Sequence, residues 1–481
     1  MKELTVGETI KAVGGRLVFG RENAVYHGVS ADSRTLVAGN LFVALRGDLF
    51  DGHEFLPEAV RRGCGALMVS DANSIPSDFD GAAIETADTL RAYQDLAAYY
   101  RELIDPKTIA ITGSMGKTTL KDMIASVCET EYRTIRSRKN FNNHIGVPLT
   151  IFEMDEDTEI LILEMGMNHE GEIRRLAEIG RPHIAVISNA GLSHRENFDS
   201  DEGVFNAKTE IATFLGEGDI LAVNGDDPRF ARMASRRDTA YRVVTAGTRE
   251  DCDFKVSDVR YTGDAEISFD LKHGGDTTQF VLPAAGLYNG VNAAFATAVA
   301  NELGIGANRV AEALRAMERT PGRLQLLERD GIKVIDDTYN AGPDSMRSGL
   351  EYLMALSGRR KIAVLAGMNE LGEESSAFHR EVGYCAVSLG VNLLVTVGEK
   401  AQDIAAGAQE ARNDDRAEPR LLHFANNESA IAFLLGQERE GDAYLVKGSR
   451  TMRMEEVARS LARIMPKPRL PIAFESEEDN G

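Results

Sequence analysis

From residue 107 onward, short continuous apolar runs alternate with stretches of helical period. TIAIT (108–112), EILILEMG (159–166), HIAVISNAG (183–191) and DILAVNGDD (219–227) carry no polar alternation, so each predicts a strand buried on both faces. Between them the apolar spacing switches to i, i+3, i+4, which predicts helices and hence a parallel sheet with helices on both sides. Ahead of this block, Leu90, Tyr93, Ala97, Tyr100 and Ile104 share one helical face from Asp88 until Pro106. The first 86 residues mix short runs (NLFVALRG, GALMVS) with glycines and one predicted helix.

Residues 253–283 change to strand-like alternation (FKVSDV, AEISFDL, TTQFVLP), which predicts an antiparallel appendage, followed by helices from Asn289 to Leu303 and to Met317. Thr320-Pro321-Gly322 interrupts the pattern. The last third alternates again, with KVIDDT, KIAVLAG, NLLVTVG and AYLVKG as strands. The expected fold class is therefore α/β in three domains. Residues 1–86 form a small mixed α/β domain, 87–321 a central parallel-sheet domain and 322–466 a Rossmann-like α/β domain. Residues 467–481 are expected to be an acidic, disordered tail.

Composition narrows the function classes. With 75 acidic against 54 basic residues and a net charge of −21, the chain lacks the basic surface of a nucleic-acid or membrane binder. No apolar run is long enough to span a bilayer, and the amino-terminal stretch lacks a signal-peptide core. The four cysteines are far apart with no CxxC pair, so reduced thiols in a cytoplasmic protein are expected.

One motif carries chemistry. The strand TIAIT runs into Gly113-Ser114-Met115-Gly116-Lys117-Thr118-Thr119, and the next apolar residues, Leu120, Met123, Ile124, Val127 and Cys128, form one helical face. Strand, glycine turn and helix start make a phosphate-binding loop. Its backbone N–H groups and helix dipole meet phosphate oxygens, Lys117 pairs with the outer phosphates, and Thr118 offers a hydroxyl to Mg²⁺. Glu164 ends the strand ILILE, where a carboxylate reads as a Mg²⁺ ligand or as a strand-capping acid. His194 follows the next strand and could approach the same metal, although a loop histidine alone reads as solvated. Lys208, within FNAKTEIATFL, reads locally as a surface lysine.

The ordered set TGSMGKTT, NFNNHIGVPLT, LEMGMNHEGEI, SNAGLSHRENF, AKTEI, PGRLQ, DDTYNAGPDSM and KGSRTMRMEEV resembles the Mur ligases across residues 28–460. It is most similar to the branch that joins D-alanyl-D-alanine to UDP-N-acetylmuramoyl-tripeptide in peptidoglycan precursor synthesis. The resemblance implies an ATP- and Mg²⁺-dependent amide ligase working through an acyl phosphate. Lys117, Lys208, His194 and Arg323 are the implied catalytic residues, and Thr118, Glu164, His194 and a carbamylated Lys208 the implied metal ligands. Asn289, Asn292, Arg323, Asp337, Tyr339 and Asn340 match ATP-binding positions. Ser33, Arg34, Asp51, Gly52 and His53 match the uridine-diphosphate segment of the first domain, and Asn140, Asn142 and Asn143 match contacts to the muramoyl-peptide. Lys447, Ser449 and Arg450 fall in the domain that closes over the nucleotide and seats the amine, with a hinge near Thr320–Arg323.

Four positions depart from the family pattern: Met115 in the phosphate loop, Tyr288 for histidine, Gly342 for asparagine and Gly367 for an acid. They keep open a relative with another amine substrate, or a non-catalytic nucleotide-binding paralogue. A monomer is expected.

Overall fold

The computed structural model describes residues 1–464 except 48–49, 192–194, 199, 236–237, 319–320 and 413–418. The expected tail at 467–481, His194 and Thr320 lie outside the described residues. Three sheets organise the chain, and the α/β class read from the sequence is what the fold displays.

The first sheet has five strands in the order Arg16–Phe19, Ala82–Glu85, Ala66–Val69, Leu41–Val43, Val29–Ser30, all parallel except the first. The second has nine. From Thr134–Arg136 it runs through Ile160–Glu164, Lys107–Thr112, Ile184–Ile187, Ile220–Asn224, Arg242–Gly247 and Phe254–Gly263 with parallel pairing throughout. Glu266–His273 and Asp276–Leu282 then add antiparallel strands at the edge. The strand-like segment 253–283 is thus continuous with the main sheet, because Ala246 and Gly247 pair with Phe254 and Lys255.

The third sheet orders Gln325–Arg329, Ile332–Asp337, Asp442–Lys447, Arg360–Ala366, Leu393–Val397 and Arg420–Phe424. Its first strand was not legible in the hydrophobic pattern. It forms a hairpin with Ile332–Asp337 through Asp330 and Gly331, both at positive φ, the requirement of a two-residue primed turn.

The first two sheets share one core. Helix Thr89–Ile104 begins where the Asp88 carboxylate accepts from the Leu90 and Arg91 N–H groups, and it ends at Asp105 in the left-handed region. Its face of Tyr93, Leu96, Ala97 and Tyr100 is fully buried between residues of the first sheet (Leu41, Val43, Met68, Ile84) and the near face of the second (Ala110, Leu161, Leu163). Tyr93 and Tyr100 pack on Phe152, and the Tyr100 hydroxyl donates to the Met154 carbonyl at 2.9 Å. The first domain therefore docks rigidly onto the second.

The third sheet meets the central one along helix Pro343–Ala355. The turn between strands Phe254–Gly263 and Glu266–His273 carries Asp264. Its carboxylate accepts from the Ser357 N–H at 3.0 Å and from Lys333, and its carbonyl from the Tyr352 hydroxyl. Tyr261 stacks on Tyr352 at 5.7 Å.

Candidate active site

The strand Lys107–Thr112 lies in the middle of the central sheet, and helix Lys117–Cys128 leaves its carboxyl end. No side chain caps that helix, so its first N–H groups face outward. Gly116 makes the turn at φ 80°, and a Cβ there would approach Asn292 Nδ2 to 3.2 Å. Helix Asn289–Glu302 thus seats its amino end against the loop, with Asn292 donating to Asn289 Oδ1 at 2.9 Å and Asn289 to the Ala285 carbonyl at 2.5 Å.

The loop is braced by a residue the sequence reading did not single out. Asn189, just after strand Ile184–Ile187, accepts from the Ser114 and Met115 N–H groups, both at 2.9 Å, and donates to the Met115 carbonyl at 2.8 Å. Met115 enters these bonds only through its backbone, so the loss of a polar side chain at that position leaves the loop's shape intact. The only available signal was the SNAG turn at a strand end.

Lys117 donates to the Gly113 carbonyl at 2.7 Å. Burial lowers its proton affinity below the ordinary lysine value; the Glu164 carboxylate opposes this, Arg323 adds to it, and Glu370 opposes it. Three elements distant in sequence therefore converge on this ammonium: the end of strand Ile160–Glu164, the segment after the interdomain link, and a loop of the third domain.

Glu164 is 2% exposed. Asn142 Nδ2 donates to its Oε1 at 3.0 Å, while Oε2 is buried without a hydrogen-bond partner. Lys121, one helical turn after Lys117 and also buried, stands 4.0 Å from that oxygen and 3.5 Å from Asp122. An orphaned buried carboxylate oxygen beside a phosphate loop fits a hard divalent cation. Among the described residues no three His, Cys, Asp or Glu side chains form a metal cage.

Lys208, read locally as a surface lysine, is 1% exposed on helix Asp201–Thr209. Burial, with a smaller contribution from the Lys117 charge, drives its proton affinity well below the ordinary lysine value. The shift favours the neutral amine over the ammonium.

On the third domain, Arg323 stacks over the Tyr339 ring at 3.9 Å. Asp337 accepts from Lys447 Nζ at 2.6 Å and from the Leu324 N–H at 3.1 Å, and Lys447 also donates to the Asn340 carbonyl at 3.0 Å. Lys447 is thereby committed to an internal ion pair. Ser449 donates through its backbone to the Gly367 carbonyl at 3.0 Å, and Arg450 faces Glu455 at 3.7 Å. Tyr288 packs beside Gly116 and Gly286, with Asp337 and Arg323 among its charged neighbours.

Other expected binding residues are tied into local structure. Asn143 Oδ1 accepts from the Ile145 and Gly146 N–H groups at the start of helix Gly146–Phe152, and Asn140 is exposed beside it. In the first domain Asp32 holds Arg34 through two side-chain bonds, and Ser33 is buried. His53 Nδ1 donates to Asp51 at 2.5 Å and its Nε2 accepts from the Ser70 N–H at 3.0 Å. Gly52 leaves no room for a side chain, since a Cβ would lie 2.4 Å from the Leu45 carbonyl oxygen. The Asp51-Gly52-His53 block thus links Arg46, through Asp51, to Ser70, through His53.

A parallel-sheet phosphate loop beside a buried carboxylate with one oxygen free of hydrogen bonds, approached by a third domain, defines a nucleotide-dependent transfer enzyme. Family models place it further. The Mur ligase family catalytic domain matches residues 25–107, the Mur ligase middle domain 111–300, and the Mur ligase glutamate ligase domain 322–450. The chain belongs to the Mur ligase family.

Among its relatives, the UDP-N-acetylmuramoyl-tripeptide–D-alanyl-D-alanine ligase of Bacillus subtilis is 36% identical, covering 92% of this chain and 94% of that one. The crystal structure of MurF from Acinetobacter baumannii superposes with a TM-score of 0.88 at 29% identity, covering 96% and 99%. MurF ligase from Thermotoga maritima, solved with ADP, gives 0.80 at 26% identity, covering 91% and 97%.

Proposed function

We propose that this chain joins D-alanyl-D-alanine to UDP-N-acetylmuramoyl-tripeptide with hydrolysis of ATP, as an ATP-dependent peptide ligase of peptidoglycan precursor synthesis in the cytoplasm. One observation carries the reading: the phosphate-loop Lys117 feels the charges of both Glu164, whose Oε2 is buried without a hydrogen bond at a strand end, and Arg323 of the following domain. The near full-length similarity to ligases of that name supports it.

The tripeptide's terminal carboxylate attacks the γ-phosphorus of ATP, ADP leaves, and an acyl phosphate forms. The dipeptide amine then attacks the acyl carbon, loses a proton, and expels inorganic phosphate. Both partners of the first step are anionic. The loop amides, Lys117 and Arg323 lower the repulsion and hold the phosphoryl group in line. Glu164 and the Thr118 hydroxyl would hold Mg²⁺, with His194 completing the set; the ion supplies charge neutralisation at the transferring phosphoryl group. Lys208, whose proton affinity burial lowers, is suited to attack CO₂ as the free amine and lose a proton, giving a carbamate that would serve a second Mg²⁺.

The three segments then divide the work. Residues 1–86 bind the uridine nucleotide, 87–321 bind ATP, and 322–466 close on the amine side. The protein acts as a monomer. Phosphate release measured with ATP, Mg²⁺ and both substrates, and with each omitted in turn, tests the assignment. Release is expected only with all components; release independent of either acceptor overturns it, and a panel of other amines identifies a different partner.

A further inference from the structure

Glu164 is held at two points and left open at a third. Its N–H donates to the buried Ser137 Oγ at 3.1 Å, which pins the end of strand Ile160–Glu164, and Asn142 Nδ2 donates to Oε1 at 3.0 Å. Oε2 is buried with no hydrogen bond. A buried carboxylate oxygen in that position calls for a countercharge.

Lys121 supplies one. On helix Lys117–Cys128 it follows Lys117 by four residues and so shares its face. The two amino groups are used differently. Lys117 turns back to the Gly113 carbonyl at 2.7 Å, within the phosphate loop. Lys121 Nζ stands 4.0 Å from Glu164 Oε2, and both side chains are only 3% exposed. No other Lys, Arg or His among the described residues comes that close to Glu164.

The separation decides what the pair can do. At 4.0 Å the ammonium is outside hydrogen-bond range, so it offsets the carboxylate's charge without engaging the oxygen's lone pairs. Salt screens a buried pair little. Lys121 also faces Asp122 Oδ1 at 3.5 Å, which keeps an acid beside the ammonium when Glu164 turns to another cation. Oε2 is therefore free to coordinate but already balanced in charge. A divalent ion arriving by itself would meet a neutralised carboxylate and a nearby cation. An ion arriving with the nucleotide brings phosphate charge that outweighs the ammonium.

We propose that Lys121 is a positioning residue that neutralises Glu164 until nucleotide phosphates arrive, so that the divalent cation enters with ATP and not ahead of it. The inference rests on the metal-ligand role given to Glu164 in the ligase reading above. The test follows Mn²⁺, a paramagnetic stand-in for Mg²⁺, by loss of the free-ion resonance, with and without a non-hydrolysable ATP analogue. In a chain of net charge −21 other acids also attract Mn²⁺, so the Glu164-dependent part is read as the difference from Glu164→Gln. Wild type should show that part only with the analogue. Lys121→Met should show it without nucleotide, at an affinity at least about tenfold above wild type. Lys121→Arg, which keeps the charge, should behave as wild type, and Lys121→Met combined with Glu164→Gln should lose the gain. Should Lys121→Met fold poorly, Mn²⁺ or the added Glu164→Gln should restore amide-exchange protection of strand Ile160–Glu164. The proposal fails, and the ligase reading stands, if Lys121→Met binds Mn²⁺ without nucleotide no better than wild type. It fails equally if Lys121→Arg gains as much as Lys121→Met, or if neither addition restores a poorly folded variant. If wild type shows no Glu164-dependent Mn²⁺ even with the analogue, the metal role of Glu164 falls and the proposal with it.

Discussion

Lys447→Met removes the ammonium from a buried ion pair while keeping its stem volume. Lys447 and Asp337 side chains are 2% and 9% exposed, and Nζ reaches both Asp337 Oδ2 and the Asn340 carbonyl. After substitution Asp337 retains only the Leu324 N–H. Removing one member of a buried pair costs about 3–5 kcal/mol.

The expected loss is therefore about 3–5 kcal/mol. The double variant Asp337→Asn, Lys447→Met should recover more than half of it. Since the chain has no tryptophan, amide hydrogen exchange of strands Ile332–Asp337 and Asp442–Lys447 is the suitable readout. KM for ATP should rise as well, because the 337–340 segment faces Arg323 and the phosphate loop. A loss under about 1 kcal/mol, or no recovery in the double variant, would refute the account of a countercharge requirement.

Four further outcomes follow from the same structure. Lys208→Ala should abolish phosphate release, with short carboxylates restoring part of it; an unaffected variant removes the residue from the mechanism. Gly52→Ala forces a Cβ against the Leu45 backbone and should destabilise the first domain by about 2 kcal/mol or more, seen as faster exchange in strands Leu41–Val43 and Ala66–Val69. His379 accepts from the Met368 N–H through Nε2 and donates from Nδ1 to the Ser375 carbonyl, and burial lowers its proton affinity. Its contribution is therefore complete above about pH 6.5 and is lost as pH falls from there through its lower folded value, so exchange at Met368 should rise in that window and His379→Gln should flatten the profile. Solution scattering should show compaction with an ATP analogue and nucleotide-peptide; an unchanged radius counts against closure about the link before Arg323.

The strands of the central sheet and the phosphate loop were legible because buried parallel strands and glycine turns leave strong local signals. The same logic found the face of helix Lys117–Cys128, whose residues Leu120, Met123, Ile124, Val127 and Cys128 are all buried. Lys208 was not legible, since nothing in FNAKTEIATFL distinguishes a lysine turned inward from one turned outward. Asn189 was hidden for a related reason: it braces Met115, which is remote in sequence, and the bond from Asn142, expected as a substrate contact, to Glu164 had no local signal either. Lys121 shows the limit of helical periodicity. It sits one turn from Lys117, but only the arrival of strand Ile160–Glu164 explains its burial. Strand Gln325–Arg329 is half-buried and exists through its hairpin partner, so its sequence carried little pattern.

The site's charges come from the second and third domains. The Lys117 charge lowers the proton affinity of buried Lys208, and Arg323 does the same to Lys117. Left alone, Lys117 and Arg323 repel across the seam between these two domains. The seam is held instead from the opposite end of helix Pro343–Ala355, where Asp264 gathers Ser357, Lys333 and Tyr352. Near that helix's start, Asp344 lies so close to Gly191 that a Cβ there would be 2.9 Å from its carboxylate. Anionic phosphates arriving between Lys117 and Arg323 would relieve the repulsion where the clamp does not reach, so nucleotide binding and domain closure draw on one coupling. In a chain of net charge −21, this concentration of cations costs stability at the site, and that cost makes closure responsive to the substrate's charge.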